Sequence, residues 1–411
     1  MFASACRRSG FGLAALTVIL TSCGGATVTS LPGSSASAAS VTLPKLIAPG
    51  NALSFETPAL QRGARRPLTF TPFESAVLGT AAQDLTVGPD GNLWITTQGN
   101  PGTIVRMSPK GVSNAFTYPV GDNGSLSLSI TPGPDGALWF VDYNANLVGR
   151  ITTKGVVTTY PLPTNNQSGC ELDATNPVGI TAGPDGAMWF TVRNGQSGSL
   201  GCPKGQNSEI GRITTTGNMA FVSMPTIDGN INSIDPLRIT AGPDGMLWFT
   251  TSVDAGSEGG LGVGSITTAG VITVGSGFPG TGETAGDYLT FSSKNLYVSD
   301  HGDGTIIHVS RYAAAATYPV PGIGGAGYGP YGITPDSQGR LWFTTHTDGD
   351  VEQLGSMTHS GQFKMYQVPP SYGYGCCGSL AFREKRQLWL PYGGTSSQYG
   401  NVNVIEATNV P

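Results

Sequence analysis

The stretch that decides the fold is Gly179-Ile180-Thr181-Ala182-Gly183-Pro184-Asp185-Gly186-Ala187-Met188-Trp189-Phe190-Thr191. It reads as two short strands about a tight turn. Pro184 presets φ at the second turn position, Asp185 bonds back to the local backbone, and Gly186 accepts positive φ. The phrase recurs from Gly88 to Trp94, from Gly133 to Trp139 and from Gly242 to Trp248, with worn copies from Pro335 to Trp342 and from Arg383 to Trp389. All 6 tryptophans therefore occupy one slot of a repeat. Between Trp248 and Trp342 the gap doubles, and Lys294-Asn295-Leu296-Tyr297 fills it with Tyr in the Trp slot. Seven units result, each roughly 45 to 59 residues long, which is the period of propeller blades.

Working outward, each unit reads as four short strands, A to D. In the third, A is Gly179 to Ala182, B is Met188 to Thr191, C is Glu209 to Thr214 and D is Met219 to Met224. A second tight turn, such as Thr152-Thr153-Lys154-Gly155, joins C to D. No stretch shows capped helical periodicity. The fold class is all-β, a seven-bladed β-propeller with four-stranded blades. Such a sheet cannot bury both faces alone, so the blades stack radially about a channel. The slot tryptophans, with Phe140, Phe190, Phe249 and Phe343 behind them, are expected to pack between neighbouring blades. The Gly-Pro-Asp-Gly turns lack the alternating acidic ligands of a calcium loop.

The two ends predict how the ring closes. The seventh unit has A (Ser379 to Phe382), B (Leu388 to Leu390) and C (Asn401 to Glu406), and the sequence stops at Pro411. Its D strand is expected from Leu68 to Phe73, a segment that resembles the D strand from Phe116 to Val120. The N-terminal outer strand then leaves no open edge, which predicts a monomer.

Ahead of the ring lies a targeting segment. Arg7 and Arg8 precede a short apolar run from Phe11 to Leu20, and Leu20-Thr21-Ser22-Cys23 resembles a bacterial lipobox; a plain secretory signal is the alternative. Residues 1–22 are assigned to a lipoprotein signal peptide, 23–66 to the lipidated Cys23 and a flexible Ser/Ala/Pro/Gly linker, and 67–411 to the propeller. The expected location is extracytoplasmic, on a membrane through the lipid anchor. Gly24 rather than Asp after Cys23 favours the outer membrane if the host has one. An oxidising compartment suits a Cys170–Cys202 bridge, since both loops leave blade 3 on the same face. Cys376 and Cys377 could form a vicinal disulfide or pair with the others. A net charge of −5 with 11% charged residues and no basic patch argues against nucleic-acid binding.

The A–B and C–D turns are short and uniform, whereas the D–A and B–C loops are longer and varied, which marks the latter face as functional. Two clusters stand out there. The first is polar, in blades 5 and 6: Asp300, His301 and His346 as candidate acid–base groups, and Asp300, Asp303, Asp348 and Asp350 as candidate ligands for Mg²⁺ or Ca²⁺, with Glu283 and Asp287 nearby. Solvated turn formers are the alternative for these residues. The second is aromatic, in blades 6 and 7: Tyr328, Tyr331 and Tyr372, with Tyr374, Tyr392 and Tyr399, amid glycines. Tyrosine offers a flat apolar face with a hydroxyl, suited to a glycan, peptide or protein; ordinary loop packing is the alternative.

The quoted phrase, followed by Ile210-Gly211-Arg212-Ile213-Thr214, resembles a blade of the virginiamycin B lyases. That resemblance spans about residues 68 to 411. It implies a seven-bladed propeller and Mg²⁺-assisted elimination that opens a streptogramin B ring. The lyases resemble one another in a Pro-His-Gly-Ile opening of strand A and a Glu that closes strand B. Here the His position, counted back from each slot aromatic, holds Gln83, Leu128, Val178, Leu237, Gly286, Tyr331 and Gly378. Strand B closes with a carboxylate at Asp142 and Asp300 only. The expected function is therefore a ligand- or protein-binding module on the lyase scaffold. A metal-dependent lyase or lactone-opening enzyme with a divergent site is the alternative.

Overall fold

The computed structural model describes residues 67–74, 82–163, 175–194, 208–225, 233–254, 260–275, 278, 288–323, 329–345, 353–369, 378–384, 386–391 and 402–411. The chain divides into two compact units, Met1–Arg62 and Gly63–Pro411. The first lies outside the described residues, as does Cys23. Among its described residues the second carries 28 strands and no helix.

The strands fall into seven antiparallel groups of four. Blades 3 to 6 are separate four-stranded sheets in simple A-B-C-D order, while blades 1 and 2 are joined into one sheet by pairing of Gln98 and Gly99 with Leu126 and Ser125. In the last sheet, Ala381–Glu384, Gln387–Pro391 and Val402–Thr408 are completed by the N-terminal strand Thr69–Glu74. That strand runs antiparallel to Val402–Thr408, with Thr69 opposite Thr408 and Phe73 opposite Val404. The expected closure is thus present, one residue further along than Leu68 to Phe73.

Each core cluster joins two consecutive blades. Trp94 packs with Leu138 and Phe140 of the next blade, Trp139 with Met188 and Phe190, and Trp189 with Leu247 and Phe249. Tyr297 sits in the same way against Leu341 and Phe343. Trp389 closes the ring against Leu85 and Leu93 of blade 1, with Phe73 alongside. Inter-blade burial of the slot aromatic is the main cohesive interaction, worth about 2–3 kcal/mol per large side chain.

The spacing inside the phrase has a physical reason. The indole N–H donates to the turn aspartate four residues earlier, at 3.0 Å for Trp94–Asp90 and Trp139–Asp135 and 2.9 Å for Trp189–Asp185. The same carboxylates cap the turn amides of Asn92, Ala137 and Ala187. Partial burial alone would raise these carboxyls, but the indole, the amides and, in two of them, Arg150 and Arg212 hold Asp90, Asp135 and Asp185 below the usual range. The glycine that opens the phrase lies under the indole: a Cβ on Gly183 would overlap Cδ1 of Trp189.

Candidate functional site

Strand A of blade 3 runs from Thr175 to Ala182, four residues earlier than the turn chemistry alone suggested. The extension is possible because its register against strand B shifts between Pro177 and Ile180. The same irregularity recurs between Ala82 and Asp84, Ser127 and Ser129, Pro236 and Ile239, and Pro330 and Ile333. A bulge bends a strand and re-aims one side chain. Here it turns a residue of five inner strands toward the axis. Strand B supports it two residues after the slot aromatic: Thr96, Thr191 and Thr250 accept the bulge amides of Asp84, Gly179 and Arg238, and Ser299 accepts the Tyr288 amide at the matching place in blade 5.

Blade 5 pairs in a different register. Thr290 pairs with Tyr297 as Thr240 pairs with Trp248, because its A–B turn is one residue shorter. The residue aligned with Arg238 is therefore Tyr288. Asp287 lies outside the described residues.

The re-aimed residues surround an axial cavity of about 300 Å³ to which all seven blades contribute. Asp84, Arg238 and Tyr288 are its large polar members. Asp84 accepts the amides of Ile130 and Ser379, both at 2.9 Å. Burial raises its carboxyl above the usual range, against the opposing pull of Arg238 and those two amides. Arg238 is only 8% exposed. Its guanidinium lies 4.2 Å from the Tyr288 ring centroid and donates to the Leu128 carbonyl at 2.6 Å. It thus spans the channel from blade 2 to blade 5. Sequence reasoning missed Asp84 and Arg238. The available signal was their charge, at a repeat position that is Ser or Gly in four other blades (129, 179, 332, 379).

Tyr331 occupies the first bulge position of blade 6. Its hydroxyl shares a hydrogen bond with Nε2 of His301, and the two rings are 4.1 Å apart. The structure thus brings together a residue expected to act as an acid–base group and one expected to bind ligand. Both are half-buried.

Asp300 precedes His301 and is fully buried. It accepts the Asp303 amide at 3.2 Å and the Thr305 hydroxyl at 3.5 Å. Burial pushes its carboxyl up to about 6, reinforced by the Asp303 charge and opposed by the turn amides. Asp142 has the same place in blade 2, where it accepts the Ala145 amide, also three residues on, at 3.0 Å, and the Tyr118 hydroxyl at 2.7 Å. These two blades have short B–C turns, and the retained carboxylate caps them. Asp303 is exposed. Among the described residues no group of three His, Cys, Asp or Glu could hold a metal ion. His346, Asp348, Asp350, Tyr328, Tyr372, Tyr374, Tyr392, Tyr399, Cys170 and Cys202 lie outside the described residues.

With this geometry in view, the sequence model of the virginiamycin B lyase family matches residues 69–197 and 191–389. The chain belongs to the virginiamycin B lyase family. A streptogramin B lyase structure superposes with a TM-score of 0.61 at 21% identity, over 84% of this chain and 99% of that one. A catalytically inactive histidine-to-alanine variant of virginiamycin B lyase from Staphylococcus aureus, solved with quinupristin, gives 0.63 at 23%, over 83% and 99%. YCF48 bound to a D1 peptide gives 0.52 at 13%, over 85% and 97%. At these identities the likeness is one of fold. No curated protein matches the chain.

Proposed function

We propose that this virginiamycin B lyase-family chain is an extracytoplasmic binding propeller, tethered through lipid on Cys23, that takes a glycan, peptide or protein on the face where its D–A and B–C loops emerge. The observation that carries this reading is Tyr331. The bulge position where the lyases are expected to present histidine here presents a half-buried tyrosine, packed on His301. None of the other described bulges supplies an imidazole. A fixed aromatic ring with a hydroxyl suits recognition more than proton abstraction. Two of the neighbours were solved with ligands on this scaffold, quinupristin in one and a D1 peptide in the other.

The test is capture on a glycan array and a peptide library. Tyr331→Ala with Tyr374→Ala should abolish binding while the thermal transition stays in place; undiminished capture would sink the reading. Tethering is checked separately by labelling cells with a fatty-acid analogue, where Cys23→Ser should lose both label and membrane attachment.

A second reading has one observation in its favour: the carboxyl of Asp300, pushed up to about 6, adjoins the His301–Tyr331 pair. It would make the chain a metal-dependent lyase or lactone-opening enzyme. Turnover of a streptogramin B by the parent protein that is lost on removal of both His301 and His346 would support it, and a parent protein that leaves the ring closed would end it.

A further inference from the structure

The repeat contains its own guide to a second site, on the opposite, turn-bearing face. In blades 2 and 3 the slot tryptophan is covered by an arginine that also pairs with the turn aspartate. Arg150 lies 5.9 Å from the Trp139 ring centroid and 2.6 Å from Asp135. Arg212 lies 5.9 Å from the Trp189 centroid and 2.7 Å from Asp185. In blade 6, Arg340 does the same for Trp342, at 5.7 Å, and Asp336, at 2.8 Å. A guanidinium between a carboxylate and an indole is thus the recurring solution, combining a charge-assisted hydrogen bond with a cation–π contact.

Blade 4 keeps the carboxylate and the indole without the arginine. Trp248 still donates to Asp244 at 3.0 Å, but the residue opposite it is Ser265 rather than arginine. A second cover is also missing. Strand D of blade 4 is only 3 residues long, Ile272–Val274. Gly275 follows it where Phe116, Tyr160 and Tyr366 stack on their tryptophans in other blades. Tyr312 from the C–D turn of blade 5 fills part of that gap, stacking on Trp248 at 4.9 Å. Trp248 nevertheless stays half-buried, whereas the other five tryptophans are among the largest fully buried side chains. Beside it opens a groove of about 490 Å³ lined by Asp244, Trp248 and Phe291, with Lys294, His308 and Arg311 on its other walls.

We infer that this groove binds a guanidinium group carried on the same small ligand as a carboxylate, the chemistry of free arginine or of a peptide ending in arginine. The guanidinium would meet the same pair of partners, a turn carboxylate and an indole, that Arg150 and Arg212 meet in the sister blades, but from the side lined by Phe291, because Tyr312 stacks on Trp248 and bonds Ser265 at 2.8 Å. Asp244 accepts its N–H groups, and the Trp248 face carries its charge. Lys294 and Arg311, both exposed, would repel a simple cation, which is why the carboxylate belongs to the ligand: it pairs with them.

Calorimetric titration of the full chain tests this. L-arginine and a short peptide with a free C-terminal arginine should bind saturably at one site, and the stronger of the two identifies the source. Citrulline, the uncharged isostere, and agmatine, which lacks the carboxylate, should each bind at least tenfold more weakly. Asp244→Asn should lose arginine binding, whereas Tyr331→Ala on the other face should leave it unchanged. Equal heats for arginine and citrulline, or unaltered affinity in Asp244→Asn with its thermal transition intact, would overturn the proposal. Asp244 is exposed, so its substitution leaves the core in place.

Discussion

The amide of Ser379 donates to Oδ1 of Asp84 at 2.9 Å, across 295 positions of sequence. The other oxygen of the same carboxylate receives Ile130 of blade 2 at 2.9 Å. One side chain on the inner strand of blade 1 therefore holds blades 7, 1 and 2 together beside the axis. At the outer radius the same join is made by the N-terminal strand, where the Thr69 and Thr408 hydroxyls meet at 2.5 Å. The ring is fastened twice where it closes.

Asp84→Ala removes both acceptors and leaves the buried Ile130 amide and the partly buried Ser379 amide without this partner. Urea unfolding should show a loss of about 2–4 kcal/mol. Asp84→Asn, which keeps one acceptor, should lose less. An unchanged midpoint for the alanine variant would mean that the inner fastening carries no energy.

The outer fastening is tested by deletion. Phe73 lies 5.0 Å from Trp389, centroid to centroid, in the cluster that joins blade 7 to blade 1. Phe73→Ala should cost about 3 kcal/mol. Deletion through Phe73 should yield aggregated or unfolded chain by size-exclusion chromatography, and a well-folded monomer would refute the closure.

The two glycines of one turn should fail differently. Gly183→Ala forces its Cβ into the Trp189 ring and should destabilise by about 1–3 kcal/mol through displaced packing. Gly186 has open space around it but a φ of 74°, so Gly186→Ala should cost about 1 kcal/mol from backbone strain alone. Tryptophan near-ultraviolet dichroism separates them, since only the first disturbs an indole.

Asp300 gives a pH dependence. Its folded value of about 6 exceeds the ordinary 3.8, so its contribution to stability is fully present below pH 3.8 and lost as pH rises through 6. The loss is at most about 2–3 kcal/mol. Thermal scans should show Asp300→Asn gaining on the parent protein across that window, and parallel curves would refute the shift.

Much of this protein could be read directly from its residues. Gly-Pro-Asp-Gly before an aromatic, repeated at blade period, admits few solutions, because a turn and the strands it joins are local and each blade needs a neighbour to bury its second face. The same reasoning predicted the N-terminal strand from the missing D strand of blade 7. The site was less legible. His301 and Tyr331 were singled out for different reasons, and their meeting depends on two loops from adjacent blades. Asp84 and Arg238 passed unremarked because a bulge, not a motif, aims them at the axis. A bulge is decided by how two strands pair, which spacing alone does not reveal. Blade 5 makes the same point, since a turn shortened by one residue moved Tyr288 into line with Arg238. Local chemistry along the chain determined the blades and their number; the partners of each inward-facing side chain were decided only when the ring closed, because those partners belong to strands far away in sequence.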